Sequence, residues 1–185
     1  MNTKGNREIE RKYRINHLAY WECPGRIVDV IGERSVTKLL DCTTNDYYWQ
    51  LGDSAQFVRL RDSSGKTNDG FSRQLVEVTA KTKDRGNNFN RHEVNTGVTS
   101  AQDAFALLQM MAGEPLGKLH KIEWVIWTVD DAVISIAQVK GEVFLEVEHV
   151  SQTVVSRYSA LLESKLSLTL EPRSFFELFI EKEIN

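Results

Sequence analysis

Arg7-Glu8-Ile9-Glu10-Arg11-Lys12-Tyr13 is the stretch on which the reading of this chain turns. Successive side chains of an extended strand point to opposite faces, so Glu8, Glu10 and Lys12 share one face while Ile9, Arg11 and Tyr13 share the other. Two carboxylates and an ammonium then stand side by side. A single strand of this kind reads most simply as a charged edge turned to water, with the apolar residues inward.

The pattern recurs along the chain. Residues 56–62 set Arg59 and Arg61 against Val58 and Leu60. On a return strand predicted over 71–83, Glu77, Thr79, Lys81 and Lys83 oppose Val76, Val78 and Ala80. Residues 90–95 alternate Arg91 and Glu93 with His92 and Val94, and 142–150 place Glu142, Phe144, Glu146 and Glu148 opposite Val143, Leu145 and Val147. Carboxylates are paired on the first and last strands and cations dominate those between. Ordinary solvated faces intersperse the two signs.

Between these strands the pattern changes. A short helix is expected near Pro24, a strand with a bend over 36–50, and a turn over 62–70 that closes a hairpin. Asp84-Arg85-Gly86-Asn87-Asn88 reads as another turn. A helix over 101–111, capped by Ser100 and stopped by Gly113, should cover a sheet with Ala104, Phe105, Leu107, Leu108 and Met111. Residues 121–129 and 133–139 read as hairpin arms around Asp130-Asp131, and 151–166 as a helix. Ser174 and Glu177 have capping-box spacing for a last, apolar helix.

Composition narrows the classes. The 185 residues suit a single domain spanning 1–185. A formal charge of −3 argues against a general nucleic-acid binder. Cys23 and Cys42 lack metal-ligand spacing and are expected to be packing residues in a reducing, cytoplasmic setting. No apolar run approaches the roughly 18 residues of a membrane span. The four histidines are scattered and the four tryptophans read as core or rim aromatics.

Strands charged on one face and apolar on the other suit an α+β architecture: an antiparallel sheet closed into a β-barrel, charged inside, with helices packed outside. A cationic lining invites a polyanion, because Arg forks match phosphate oxygens. Two Glu-x-Glu pairs add a place for a hard divalent cation.

On these residues the chain resembles the CYTH, or triphosphate tunnel metalloenzyme, family, whose members include inorganic and thiamine triphosphatases, class IV adenylyl cyclases and fungal RNA triphosphatases. Glu8-Ile9-Glu10-Arg11-Lys12 is similar to its Glu-x-Glu-x-Lys signature. Asp46-Tyr47-Tyr48 with Arg59-Leu60-Arg61, then Val78-Thr79-Ala80-Lys81, Arg91-His92-Glu93, Lys121 and Leu145-Glu146-Val147-Glu148 follow in the family's order. Ser174-Phe175-Phe176-Glu177-Leu178 is similar to an ending of the cyclase-like branch.

The resemblance implies that Glu8, Glu10, Glu146 and Glu148 hold Mg²⁺ or Mn²⁺. It implies that Lys12, Arg59, Arg61, Lys81, Lys83, Arg91 and Lys121 bind the substrate. Lys12, Arg59, Arg61, Lys81, Arg91 and Glu93 would be catalytic. The expected partner is a triphosphate-containing small molecule, with no nucleic acid or membrane, and a homodimer stays open. The implied activity is metal-dependent triphosphate hydrolysis. A class IV-type cyclase is the second reading. A non-catalytic nucleotide or polyphosphate binder is the third, because Glu123, Asn95 and Ala137 depart from the family's pattern.

Overall fold

The computed structural model describes residues 6–50, 55–82 and 90–180, with the backbone alone at 6–8, 55–56, 82 and 90–92. Lys83 and the turn expected over 84–88 lie outside the described residues. In chain order the elements are β1 (Asn6–Ile15), α1 (Cys23–Ile31), β2 (Val36–Trp49), β3 (Ala55–Thr67), β4 (Ser72–Thr82), β5 (Asn90–Gly97) and α2 (Ala101–Ala112), then β6 (Gly117–Thr128), β7 (Val133–Val139), β8 (Glu142–His149), α3 (Gln152–Glu163), β9 (Leu168–Leu170) and α4 (Phe175–Phe179). The fold is α+β, as expected, with one large antiparallel sheet and four α helices among the described residues. No described helix is long and apolar enough to cross a membrane.

The strands follow the order β5-β4-β3-β2-β6-β7-β8-β1-β9, and β5 also pairs with β1. That second pairing runs antiparallel from Asn6↔Glu93 to Ile9↔Asn90. Because β8 pairs with β1 at Ile9 and again at Tyr13, it occupies one edge of β1. The other edge therefore carries β5 over Asn6–Ile9 and β9 over Tyr13–Ile15.

Alternation sorts the side chains as the sequence predicts. Ile9, Tyr13, Ile134, Ile136, Leu145 and Val147 lie beneath α1 and α3, packed against Ile27, Ile31, Val155 and Leu162. Ala104 and Leu108 of α2 cover Trp49, Val58, Leu60 and Val76. Each fully buried side chain of this size contributes about 1.5–3 kcal/mol. Cys23 and Cys42 are buried free thiols, the packing residues expected.

Four features depart from the expectations. First, β3 continues through residues 62–67 instead of turning there. Ser63 exchanges a 2.9 Å hydroxyl hydrogen bond with Thr44, and Gly65 lies so close to β2 that an added Cβ would stand 2.2 Å from the Asp41 carbonyl oxygen. The hairpin turn is confined to 68–70, where Gly70 takes φ +85°.

Second, β9 was not expected; three residues are too few to show a period. Third, α2 buries a narrower face than its composition suggests. Ala104 and Leu108 are inside, whereas Leu107 and Met111 are 58% and 64% exposed.

Fourth, the expectation of helices packed outside holds for α1, α2 and α3 but not for α4. Phe175, Phe176 and Phe179 pack with Tyr48, Phe57, Leu119 and Phe144. Tyr48, Phe57 and Phe144 are two residues from Asp46, Arg59 and Glu146, so they lie on the charged face. Helix α4 thus floors that face at one end. Its start is fixed by the predicted capping box, in which Ser174 Oγ accepts from the Glu177 N–H at 3.2 Å and the Ser174 N–H donates to Glu177 Oε2 at 2.6 Å.

Candidate functional site

Alternation brings most of the predicted residues together. Glu10, Lys12, Arg59, Arg61, Lys81, Glu93, Glu146 and Glu148 line one cavity of about 230 Å³, with Glu77, Asn95, Glu123 and Ser135 beside them. Phe175 and Phe176 of α4 form part of its wall.

On one side, β1 and β8 face each other with Glu10 opposite Glu148 and Lys12 opposite Glu146. The Lys12 ammonium is 2.9 Å from Glu146 Oε1 and 3.3 Å from Glu10 Oε1. It also donates to the Arg173 carbonyl at 3.3 Å and sits 4.2 Å from the centre of the Phe175 ring. Ser135, opposite Glu146 on β7, donates to Glu146 Oε2 at 3.4 Å. Burial pushes the Glu146 carboxyl above its ordinary value; Lys12 opposes the shift, and the neighbouring Glu10 reinforces it.

On the other side the balance is reversed. Asp46 of β2 is fully buried and faces Arg61 of β3. Arg61 grips it through two bonds, Nε to Oδ1 at 2.8 Å and Nη2 to Oδ2 at 2.9 Å. Lys121 approaches Asp46 Oδ2 at 3.1 Å and Glu123 Oε1 at 2.8 Å. Burial would raise the Asp46 carboxyl, but Arg61, Lys121 and Arg59 outweigh it and hold it far below the carboxylate range. Glu123 is lowered in the same way, with Lys121 and Arg61 overcoming its burial.

Arg59 is held more loosely. Its Nη2 donates to Thr79 Oγ1 at 3.3 Å, while its nearest carboxylates, on Asp46 and Glu77, are both 4.0 Å away. The side chain is 11% exposed, and its buried Nε has no hydrogen-bond acceptor among the described residues. Lys81 is paired with Glu93 at 2.7 Å across β4 and β5.

Four of the expected site residues are placed differently or fall wholly or in their side chains outside the described residues: Lys121, Glu8, Arg91 and Lys83. Lys121 does not line the cavity: its side chain has no exposure and its ammonium is shared by Asp46 and Glu123. Glu8 and Arg91 stand opposite each other in the β1–β5 register, but their side chains lie outside the described residues. Glu142, on the face of Glu146, is ion-paired with Arg14 away from the cavity.

Sequence reasoning quoted Asp46 only as part of a block and Glu123 only as a departure. The signal for both was available in the alternation Thr44, Asp46, Tyr48 and Lys121, Glu123, which puts each carboxylate on the face of the cations.

Divalent cations prefer carboxylate oxygens, and the described lining carries six carboxylates against four cations. The donor chemistry therefore fits Mg²⁺ or Mn²⁺. Lys12 now occupies the position between Glu10 and Glu146, and no group of three or more His, Cys, Asp or Glu among the described residues is already arranged around a common point.

No protein-family model matches the sequence, and no curated protein matches it. Solved structures do share the fold. The PH1819 protein of Pyrococcus horikoshii OT3 superposes with a TM-score of 0.68 at 20% identity, covering 95% of this chain and 99% of its own. HpAC1 of Hippeastrum, described as an adenylyl cyclase candidate with a dominant triphosphatase activity, gives 0.62 at 15% identity, covering 95% and 96%. A candidate adenylate cyclase from Vibrio parahaemolyticus gives 0.60 at 20% identity, covering 95% and 98%. At these identities the likeness is one of fold.

Proposed function

We propose that this chain is a metal-dependent triphosphatase whose sheet works as a barrel around a charged tunnel. The observation that carries the reading is Arg59: a buried guanidinium on the cavity wall, at the limit of its ion pairs, with a donor that has no acceptor among the described residues. An unsatisfied buried donor is costly, of the order of 1–3 kcal/mol, and an anionic ligand oxygen would remove that cost. The β1–β5 pairing supports the barrel, and the dominant triphosphatase activity of HpAC1 agrees with hydrolysis.

In this reading Glu10, Glu146 and Glu148, with Glu8, would hold one or two Mg²⁺ or Mn²⁺ ions. A bound metal would supply positive charge beside the six carboxylates of the described lining. Arg59, Arg61 and Lys81 bind the phosphate oxygens and orient the terminal phosphoryl group. Lys12, held by Glu10 and Glu146, adds a fixed positive charge at the floor. These cations stabilise the negative charge that grows on the bridging oxygen as the terminal phosphoryl leaves. Water takes the phosphoryl group, giving orthophosphate and a shortened polyphosphate, and its proton passes to a carboxylate of the lining or to solvent.

The test is phosphate release from tripolyphosphate, thiamine triphosphate and ATP with Mg²⁺ or Mn²⁺. ADP and phosphate from ATP are expected. Cyclic AMP with pyrophosphate would replace hydrolysis by the cyclase reading, and ATP bound but recovered unchanged would replace it by the binding-protein reading.

A further inference from the structure

Beside Arg61 the charged cavity ends at a carboxylate. Glu123 of β6 lines it there, and Arg61, Glu123 and Val125 also border a second space of about 160 Å³, so the two are contiguous. The second space is largely apolar, walled by Leu40, Cys42, Leu75 and Trp127, but Thr44, Ser63, Ser64 and Arg73 line it too. It lies away from α4: Thr44 and Ser63 are beyond Asp46 and Arg61 along β2 and β3, on the side opposite Tyr48 and Phe57. Glu123 therefore stands at the junction.

Its charge is fixed by its neighbours. Lys121 and Arg61 hold the carboxyl below its ordinary value against its burial, so it is an anion at neutral pH. The residues opposite it in register, Cys42 on β2 and Ala137 on β7, bring no cation. Lys121 is shared between Glu123 and Asp46, and Arg61 is occupied by Asp46 through two bonds. Two carboxylates meet two cations, and the four together are neutral.

The balance differs two residues along β3. Arg59 has its nearest carboxylates at 4.0 Å and a buried Nε with no acceptor among the described residues. A phosphate chain gripped there gains a charged donor. A further phosphate pushed past Arg61 meets Glu123 in a buried setting, where like charges repel and salt screens them little. Beyond the junction the Arg73 guanidinium and the Ser63 and Ser64 hydroxyls could receive phosphate oxygens, so the carboxylate, and not a lack of donors, ends the run.

We infer that Glu123 is a specificity-determining residue that sets how many phosphates this chain accepts, admitting a triphosphate on the Arg59 side of the junction and turning back a longer chain. The inference rests on the triphosphate reading of the charged cavity and adds to it what bounds the ligand.

Calorimetric titration with tripolyphosphate and tetrapolyphosphate at matched free Mg²⁺ tests it without relying on turnover. Three variants join the wild type. Glu123→Gln removes the charge at the junction. Glu77→Gln removes the same charge from the charged cavity at a residue that does not border the second space. Arg73→Ala removes an exposed cation beyond the junction.

The wild type should bind tripolyphosphate tenfold or more tighter than tetrapolyphosphate. Glu123→Gln should bring the two within about threefold by strengthening tetrapolyphosphate, whereas Glu77→Gln should keep the tenfold preference. Arg73→Ala should change neither affinity by more than twofold, because in the wild type no phosphate passes Glu123; this arm holds even if Glu123→Gln melts early. Equal wild-type affinities, a Glu123→Gln that moves both ligands alike, the same narrowing in Glu77→Gln, or a selective loss of tetrapolyphosphate in Arg73→Ala would overturn the inference and leave the charged-cavity reading standing. Failure to bind either polyphosphate would end both.

Discussion

Two buried ion clusters share the charged face of the sheet, and they are built oppositely. Around Asp46, one carboxylate is surrounded by Arg61, Lys121 and the more distant Arg59, and its oxygens are met at 2.8, 2.9 and 3.1 Å. Around Lys12, one ammonium serves both Glu10 and Glu146, and Glu146 is pushed towards its protonated form. In the first cluster both Asp46 oxygens are met by cations, and its acids stay ionised. Among the described residues the second sets two carboxylates around one ammonium. The contrast teaches that charge on a buried face has two uses: Asp46 positions Arg61 and locks strands together, whereas Glu10 and Glu146 are poised for a cation from outside.

The sharpest way to break this contrast is at Asp46. Asp46→Ala leaves Arg61 and Lys121 buried with less compensation, so about 3–5 kcal/mol of stability should be lost in urea unfolding. A loss below about 1 kcal/mol would show that the cluster does not hold the strands.

Its pH dependence has a definite sign. Asp46 is lowered on folding, so its stabilisation is whole above the unfolded carboxylate value of about 3.9 and is lost as pH falls towards the lower folded value. Glu171, lowered to about 2 against its burial by Arg173 and Arg14, acts in the same direction. The wild type should lose stability below about pH 4, with a slope up to about 1.4 kcal/mol per pH unit from Asp46 alone. Asp46→Asn should flatten that slope, and an unchanged slope would remove Asp46 from the account.

Arg59 sharpens the comparison from the side of function. Arg59→Ala should raise the barrier to phosphate release by about 2–4 kcal/mol. Its stability cost should be small, because its nearest carboxylates are 4.0 Å away. Arg61→Ala should damage both properties. Equal stability losses at the two arginines would erase the distinction between a locked and an available cation.

A smaller effect is expected at Gly65. An added Cβ would meet the Asp41 carbonyl at 2.2 Å and the Cys42 Cβ at 2.5 Å, so Gly65→Ala should cost about 1–3 kcal/mol by forcing β2 and β3 apart. A thermal melt checks it.

The smallest change is expected at Glu146. Its folded value is raised, so its contribution is present below the unfolded value of about 4.3 and is lost as pH rises through the folded one. At neutral pH Glu146→Gln should therefore cost less stability than Asp46→Ala, with Glu10 still beside the Lys12 ammonium. A loss as large as that of Asp46→Ala would make the two clusters equivalent.

Much of this fold was legible because alternation is a short-range signal. Glu10 and Lys12, Arg59 and Arg61, and Glu146 and Glu148 each declare a face within three residues, and the strands that carry them are found where expected. Ser100 and Ser174 declare helix starts equally locally. What failed depended on distant partners. Residues 62–67 have turn-like composition, yet Thr44 and β2 hold them as strand. The Phe-rich α4 gives its starting point away but not the face it covers. Lys121 looks like another phosphate ligand until Glu123 and Asp46 are seen around its ammonium. The apolar space beside Arg61 is assembled from four strands, so no segment announces it.

Calorimetric titration of ATP with and without divalent metal tests the central claim most directly. With Mg²⁺ or Mn²⁺ the wild type is predicted to bind ATP at least tenfold tighter than in EDTA, and Glu10→Gln to lose most of that difference. Binding as tight in EDTA as in metal, or a metal effect unchanged in Glu10→Gln, would contradict it.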